Sequence, residues 1–245
     1  MLHISINPET VFHFLGFPIT NSLILSSIVF IVFFLIAVDY KKNAQSPKKN
    51  MLFYLLTFVL KSIYGLFDSI LGKETPKFFA FLGTIFLFVL LENWFGLLPG
   101  VGSLLIKVKE GHELVSIPLF RSNTADLNTT IALSVITMAL VQYYGFKYLG
   151  IGGYLKKFFN FSNPLNFFLG ILEIISEISR VISFSFRLFG NVFAGEVLIL
   201  VIAFLIPWGA SAPFLMLEVF VGLIQALVFA MLAAAFINLA ITKHH

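Results

Sequence analysis

Glu173, Ser176, Glu177, Ser179, Arg180, Ser183, Arg187 and Asn191 punctuate an otherwise apolar stretch. At about 100° per residue of helix, Glu173, Ser176, Arg180, Ser183 and Asn191 fall within roughly 40° of Arg187. Glu177 and Ser179 flank that line at roughly 80° on either side, and Glu196 points about 180° away. Acids, hydroxyls, an amide and a guanidinium on one face can pass a proton or a small ion along a membrane helix. Any single Ser in such a helix is ordinarily a packing residue or bonds its own carbonyls. Arg180 fits an interfacial cation whose stem lies in the apolar layer. Arg187 has apolar sequence on both sides. Its burial costs about 2.5–3.5 kcal/mol on insertion scales, and such residues line ion pathways or pair with partners.

Downstream, Glu218 and Gln225 are the strongly polar residues of the next apolar run. Seven residues apart, they share a helical face. Glu196 and Glu218 form a candidate acidic pair able to hold a proton at membrane depth, with a hydrogen-bonded helix–helix tie as the structural alternative. Glu92 and Asn93 stand near the end of an earlier run, and Thr124, Asp126 and Asn128 near the start of another. Asp126 to Asn128 reads equally as a helix N-cap or as a water-accessible vestibule.

The composition says what must carry these residues. Of 245 residues, 59% are hydrophobic and 11% charged, and the mean hydropathy is +0.97. Soluble domains carry about 25% charged residues, so a soluble enzyme, a disordered chain and a nucleic-acid binder are excluded. With no Cys there are no disulfides, thiolate nucleophiles or Cys metal sites. Neither a phosphate loop nor a metal-ligand cluster nor a nucleotide motif occurs. No cofactor is expected, and the chain has no catalytic site of its own.

The expected fold class is an all-α polytopic membrane protein forming one membrane domain over residues 1–245, with about five membrane helices. Residues 1–20 form an outside N-terminus, and residues 21–38 the first span. The second and third spans cover 78–98 and 127–146. Residues 165–206 and 214–242 form a long, strongly tilted helical hairpin about the Pro207-Trp208-Gly209 turn. As helices they would measure about 63 Å and 44 Å, against a hydrocarbon core of about 30 Å. A break at Gly190 or Gly195 is the alternative to tilt. Thr57, Lys61, Gly65, Asp68 and Gly72 share one face of 51–72, so this segment is expected to be an amphipathic surface helix. A re-entrant hairpin or a true span is the alternative. Residues 101–123 are expected to form a polar loop.

No Lys or Arg precedes Lys41, which argues against a cleaved signal peptide and for an outside N-terminus. Eleven basic residues then fall inside and three outside (Lys107, Lys109 and Arg121). Arg180 and Arg187 lie in no loop.

The segment Ser183-Phe-Ser-Phe-Arg187-Leu-Phe-Gly-Asn191-Val-Phe-Ala-Gly195-Glu196 resembles the signature of the ATP synthase subunit a family. That pattern is an Arg-Leu-Phe-Gly-Asn core followed by Ala-Gly and an acid or His. Leu223-Ile-Gln225-Ala-Leu-Val-Phe, Glu92-Asn-Trp-Phe-Gly-Leu-Leu-Pro99-Gly100 and Thr124-Ala-Asp126-Leu-Asn128 resemble its other helices. The resemblance covers about residues 75 to 242 and agrees upstream in topology only. It implies a stator channel of the rotary motor. Arg187 would face the carboxylates of the rotating subunit c ring. Glu196, Glu218 and Gln225 would line the half-channel from outside, with Asn93 and Thr124 nearer its mouth. Ser176, Glu177, Ser179, Ser183 and Asn191 would line the inner half-channel. Some relatives have His at one of the two positions held here by Glu196 and Glu218. The implied partners are the c ring, the subunit b stator stalk, the remaining synthase subunits and membrane lipid, but not nucleic acid. ATP chemistry would belong to partners. The absence of an Arg- and Ser-rich leader points to a bacterial inner membrane more than an organelle membrane. A secondary transporter or stand-alone ion channel is the rival, but the transporter needs repeats or broken helices, and none is visible.

Overall fold

The structure is a computed structural model that describes residues 7–98, 100–102, 104–110, 113–158, 163–206, 209 and 211–242. Long apolar helices dominate it. An antiparallel hairpin of β1 (Thr10–Phe14) and β2 (Phe17–Thr20) leads directly into α1 (Asn21–Gln45). Then follow α2 (Met51–Leu71), α3 (Thr75–Gly96), β3 (Leu105–Glu110), β4 (Glu113–Pro118), α4 (Leu127–Leu149), α5 (Ile151–Phe158), α6 (Pro164–Leu205) and α7 (Ser211–Ile241). Five stretches are long and apolar enough to cross a membrane: Asn21–Gln45, Met51–Gly96, Leu127–Leu149, Pro164–Leu205 and Ser211–Ile241. The chain is thus an all-α polytopic membrane protein carrying two small β-hairpins.

Local chemistry sets the helix starts. The Thr20 hydroxyl accepts from the Leu23 amide at 3.3 Å and the Asn50 side chain from the Phe53 amide at 2.9 Å. Pro76 occupies the first turn of α3, where its missing N–H costs nothing. Asp126 caps α4, its Oδ1 accepting from the Asn128 amide at 2.9 Å. Gly72, at φ +52°, ends α2, a conformation that a Cβ would strain.

Residues 101–123 differ from the expected polar loop. Backbone pairing from Leu105↔Pro118 to Glu110↔Glu113 makes a hairpin, and residues 123–125 form a 3-10 turn. The apolar–polar alternation of Leu105-Ile-Lys-Val-Lys-Glu is a strand period. Helix α5 and the β1–β2 hairpin were also not expected. Most helices outrun their expected limits by a turn or less, and α1 by about two turns, through Lys41 and Lys42 to Gln45. Helix α6 runs unbroken through Gly190 and Gly195. Pro207 and Trp208, expected to turn the final hairpin, lie outside the described residues, as does Pro99.

The core centres on α7. Ala226, Phe229, Ala230, Ala233, Ala234, Ile237 and Ala240 recur at helical spacing and are buried. Against them pack Phe78, Leu82, Phe86 and Val89 of α3, Met138 and Val141 of α4, Phe184 and Leu188 of α6, and Ile63, Phe67 and Leu71 of α2. Lipid is as apolar as these side chains, so close approach rather than water exclusion must hold the helices. Small residues permit that approach. Only five residues of α6 are buried, so most of its length presents a free face.

Two glycines fix α5 beneath the bundle. A Cβ on Gly145 would overlap the ring of Tyr154, which is buried. One on Gly170 would run into the Phe158 carbonyl. Gly145→Ala is therefore expected to displace Tyr154 and destabilise the protein by about 1–3 kcal/mol. Gly65, whose Cβ would meet nothing within 4 Å, should accept Ala without loss. Thermal unfolding of the two variants in detergent, monitored by tryptophan-independent far-ultraviolet dichroism, checks the contrast. Equal midpoints would refute the packing.

Candidate functional site

Three polar groups are strung along α6. Towards its start, Lys157 of α5 bridges Glu173 at 2.7 Å and Glu177 at 3.6 Å. Arg180 closes the ring, 2.7 Å from Glu177 and 3.5 Å from Glu173. Gln142 of α4 donates to Glu177 at 2.8 Å and accepts from the Tyr154 hydroxyl. Burial, followed by the Glu177 carboxylate, pushes the Tyr154 phenol up to about 12. It therefore remains a neutral donor. The Arg180 guanidinium also lies over the Phe236 ring, 4.8 Å from its centroid. Ser176 lies half-buried beside this cluster and Ser179 is exposed.

Arg187 stands in the middle, on the free face. Its Nη2 donates to Ser183 Oγ at 3.2 Å, one helical turn back, and both residues are exposed. It forms no ion pair among the described residues. One turn further, Asn191 donates to Gln225 Oε1 of α7 at 2.7 Å. Gln225 is buried. The resemblance assigns Asn191 and Gln225 to opposite half-channels, yet the structure joins them directly.

The third group lies where α6 and α7 meet the 3-10 turn at residues 123–125. Glu196 Oε2 is 3.8 Å from Arg121 Nε, and the Arg121 side chain is 8% exposed. Arg121 also donates to the Asn7 carbonyl at 2.9 Å. The count of basic residues places Arg121 among the outside charges. The structure buries that charge beside the Glu196 carboxylate. The signal was an Arg flanked by Leu-Phe and Ser-Asn-Thr-Ala-Asp, apolar and capping residues rather than a charged loop.

The Glu218 carboxyl lies against Gly195, the chain neighbour of Glu196, where a Cβ would collide with it. Gly195 is thus what admits the acid of α7 against α6. No hydrogen bond joins Glu218 to Glu196 among the described residues. On α3, Asn93 donates to the Gly222 carbonyl at 3.1 Å and Trp94 to the Val219 carbonyl at 3.0 Å. Thr124 is buried and shares a hydrogen bond with Ser122 at 3.0 Å. Asp126 both caps α4 and accepts from Ser22 at 3.4 Å, so the cap and the polar recess are one feature. Side-chain oxygens of Glu92, Asn93 and Glu196, and Nε2 of Gln225, are buried and make no hydrogen bond among the described residues.

The arrangement thus separates two dense polar clusters by an arginine with no acid of its own. No group of three or more metal-ligating side chains occurs among the described residues. Carboxylates, amides and hydroxyls so placed are groups that can bind and release a proton or hold a small ion.

A family model described as ATP synthase A chain matches residues 20–238. The match therefore takes in α1 and α2, which the quoted motifs do not reach. The chain is 31% identical over 233 residues to the ATP synthase subunit a of Moorella thermoacetica (strain ATCC 39073 / JCM 9320), covering 95% of each chain. Apolar spans, the charged stripe and these matches agree: the chain is a multi-pass membrane protein that belongs to the ATP synthase subunit a family.

Proposed function

We propose that this chain forms two offset half-channels that pass protons to and from the carboxylates of a rotating subunit c ring. The observation that carries the proposal is Arg187, exposed on the free face of α6 with no acid of its own chain among the described residues. A permanently charged guanidinium in the apolar layer needs a counter-charge. A ring carboxylate presented by a neighbouring subunit would supply it.

The outer cluster of Glu196, Glu218, Arg121 and Asn93, with Thr124 beside them, would deliver the proton. A ring carboxyl that accepts it becomes neutral and can turn into lipid at small cost. The inner cluster of Glu173, Ser176, Glu177, Ser179 and Arg180 would take the proton away after rotation. Asn191 and Ser183 would line the approach to Arg187. Arg187 keeps the returning site ionised and bars a direct leak between the halves. Each charge that crosses is worth about 2.3 kcal/mol per 100 mV. The c ring, the subunit b stalk and the other synthase subunits would be the partners, and a bacterial inner membrane the setting.

Helix α2 would lie along the inner surface. Its start meets the end of α1, where Phe53 stacks on Tyr40 at 4.9 Å. Its end meets the start of α3, where Tyr64 and Phe67 contact Phe79. Both ends would then be at the same depth. The N-terminus and residues 100–121 would be outside. A single Cys introduced at Lys48 in this Cys-free chain should react with an impermeant thiol reagent only from the inner side. Labelling from outside would reverse the orientation.

Glu218→Gln and Glu196→Gln are each expected to slow proton-driven ATP synthesis. The double variant should be far slower than the product of the two predicts, since the acids flank one glycine and can replace each other in part. Wild-type synthesis in the double variant would remove the acidic pair from the pathway.

Arg187→Ala should abolish coupled synthesis in the assembled complex and open a passive proton leak. Lys should substitute poorly, because a buried ammonium can deprotonate whereas a guanidinium, with a pKa above about 12, does not. Ser183→Ala and Asn191→Ala should retain partial function, since water can replace a hydroxyl or an amide. ATP synthesis and dye-reported leak in reconstituted vesicles under an imposed potential decide the matter. Near-normal coupled synthesis in Arg187→Ala would overturn the proposal.

A further inference from the structure

Glu92 is a carboxylate of α3 with no solvent exposure and no ion pair among the described residues. Ser26 of α1 donates to its Oε1 at 2.8 Å. Its Oε2 is buried and makes no hydrogen bond of good geometry, with the Asn123 side chain beside the carboxyl. A tie between two helices needs no acid, since a hydroxyl or an amide makes the same bond without the burial cost of a group that ionises. Ser26 also lines an open groove of about 400 Å3 with Ser27, Phe30, Ile31 and Phe88. It lies five residues inside α1, about 7.5 Å below the end of the helix. The hydroxyl therefore connects a surface groove to a fully buried acid.

From these placements we infer that Glu92 is a proton-binding site loaded through Ser26 from the groove between α1 and α3. This rests on the proton-pathway reading above and adds to it a carboxylate outside the α6–α7 hairpin. The step balances simply. A proton donated to the Ser26 oxygen from the groove is matched by the Ser26 proton passing to Glu92 Oε1, giving a neutral carboxyl. Release runs into the polar recess at residues 122–126. There Asn123 stands beside the Glu92 carboxyl, and Glu196, beside Arg121, holds a buried acceptor oxygen that makes no hydrogen bond.

The 3-10 turn of that recess packs against α1, α3, α4 and α6. The charged groups around it are Arg121 and Asp126 at its flanks, Glu196 on α6 and Glu9 from the N-terminal segment, which bonds Asn21 of α1. Helix α1 contributes no charge there among the described residues, only the Asn21 amide and the hydroxyls of Ser22 and Ser26. Helix α7 contributes Glu218, on the far side of Gly195. The charges of α2 are exposed, Lys61 midway along it and Asp68 near its end at the start of α3, whereas Glu92 lies near the other end of α3.

The test uses the complete synthase in vesicles, with ATP synthesis measured at fixed driving force while the pH on the outer side is varied. Glu92→Gln keeps the shape and removes the titration. It should run roughly tenfold slower, short of total loss because Glu196 and Glu218 remain, and its pH profile should lose a step. Glu92→Asp should restore most of the rate. Ser26→Ala should displace the profile, whereas Ser27→Ala should not, since Ser27 bonds only the Leu23 carbonyl of its own helix. A wild-type rate and profile in Glu92→Gln would overturn the site. If Glu92→Gln does not assemble, Ser26→Ala decides, and an unmoved profile there overturns the site equally. Arg187→Ala run in parallel separates the two proposals. Coupled synthesis surviving in it removes the pathway and Glu92 together. Synthesis lost in it, with Glu92→Gln unchanged, removes Glu92 alone.

Discussion

A guanidinium that cannot lose its proton, set midway along a helix too apolar for water, is the constraint on which the rest of the molecule turns. Nothing in its own chain neutralises Arg187 among the described residues, and Ser183 offers only a hydroxyl at 3.2 Å. On the proposed function, the helix leaves that face open to a partner's carboxylate. The packing obeys this. Helix α6 buries just Gly170, Phe184, Ser185, Leu188 and Gly195, which at about 100° per residue all lie to one flank of Arg187, roughly 60–160° round the helix. The small-residue stripe of α7 holds that side tightly enough that the other needs no support.

The same constraint explains the sorting of the remaining charges. Glu173, Glu177, Arg180 and Lys157 neutralise one another at one end of α6. Glu196 and Arg121 do so at the other. Had either set reached Arg187, the guanidinium would already be satisfied and unavailable to a passing carboxylate. Asn191 and Gln225 occupy the boundary with neutral groups instead. An amide pair can carry a hydrogen bond across the α6–α7 seam without drawing the charge of Arg187.

The helical stripe, the five spans and the long final pair were legible because membrane helices report hydropathy and period directly. The Ser183 to Glu196 motif placed the chain in its family for the same reason: it is dense and local. What lay beyond sequence was pairing at long range. The bond between Ser26 and Glu92 spans 66 residues and that between Asn191 and Gln225 spans 34. Periodicity on one helix says nothing about which neighbour it meets. Likewise, counting basic residues located Arg121 in a connection but said nothing of its burial against Glu196. The β3–β4 hairpin was different: its alternation was present in the sequence but was outweighed by the composition of a polar connection.

The length of α6 links these placements to rotation. A straight helix of 42 residues measures about 63 Å. To stay within a hydrocarbon core of about 30 Å it must incline by roughly 60° from the membrane normal. Glu177 and Glu196 are 19 residues apart, or about 28 Å along the axis. On the proposed tilt that resolves into roughly 14 Å of depth and about 25 Å sideways. The depth alone is a short barrier that a chain of waters could bridge. The sideways offset, with a fixed positive charge inside it, is not. On the proposed function, a proton arriving at one cluster would reach the other on a carrier that moves laterally. Tilt thus converts a helix overlong for one crossing into the spacing that a rotating ring of carboxylates would need.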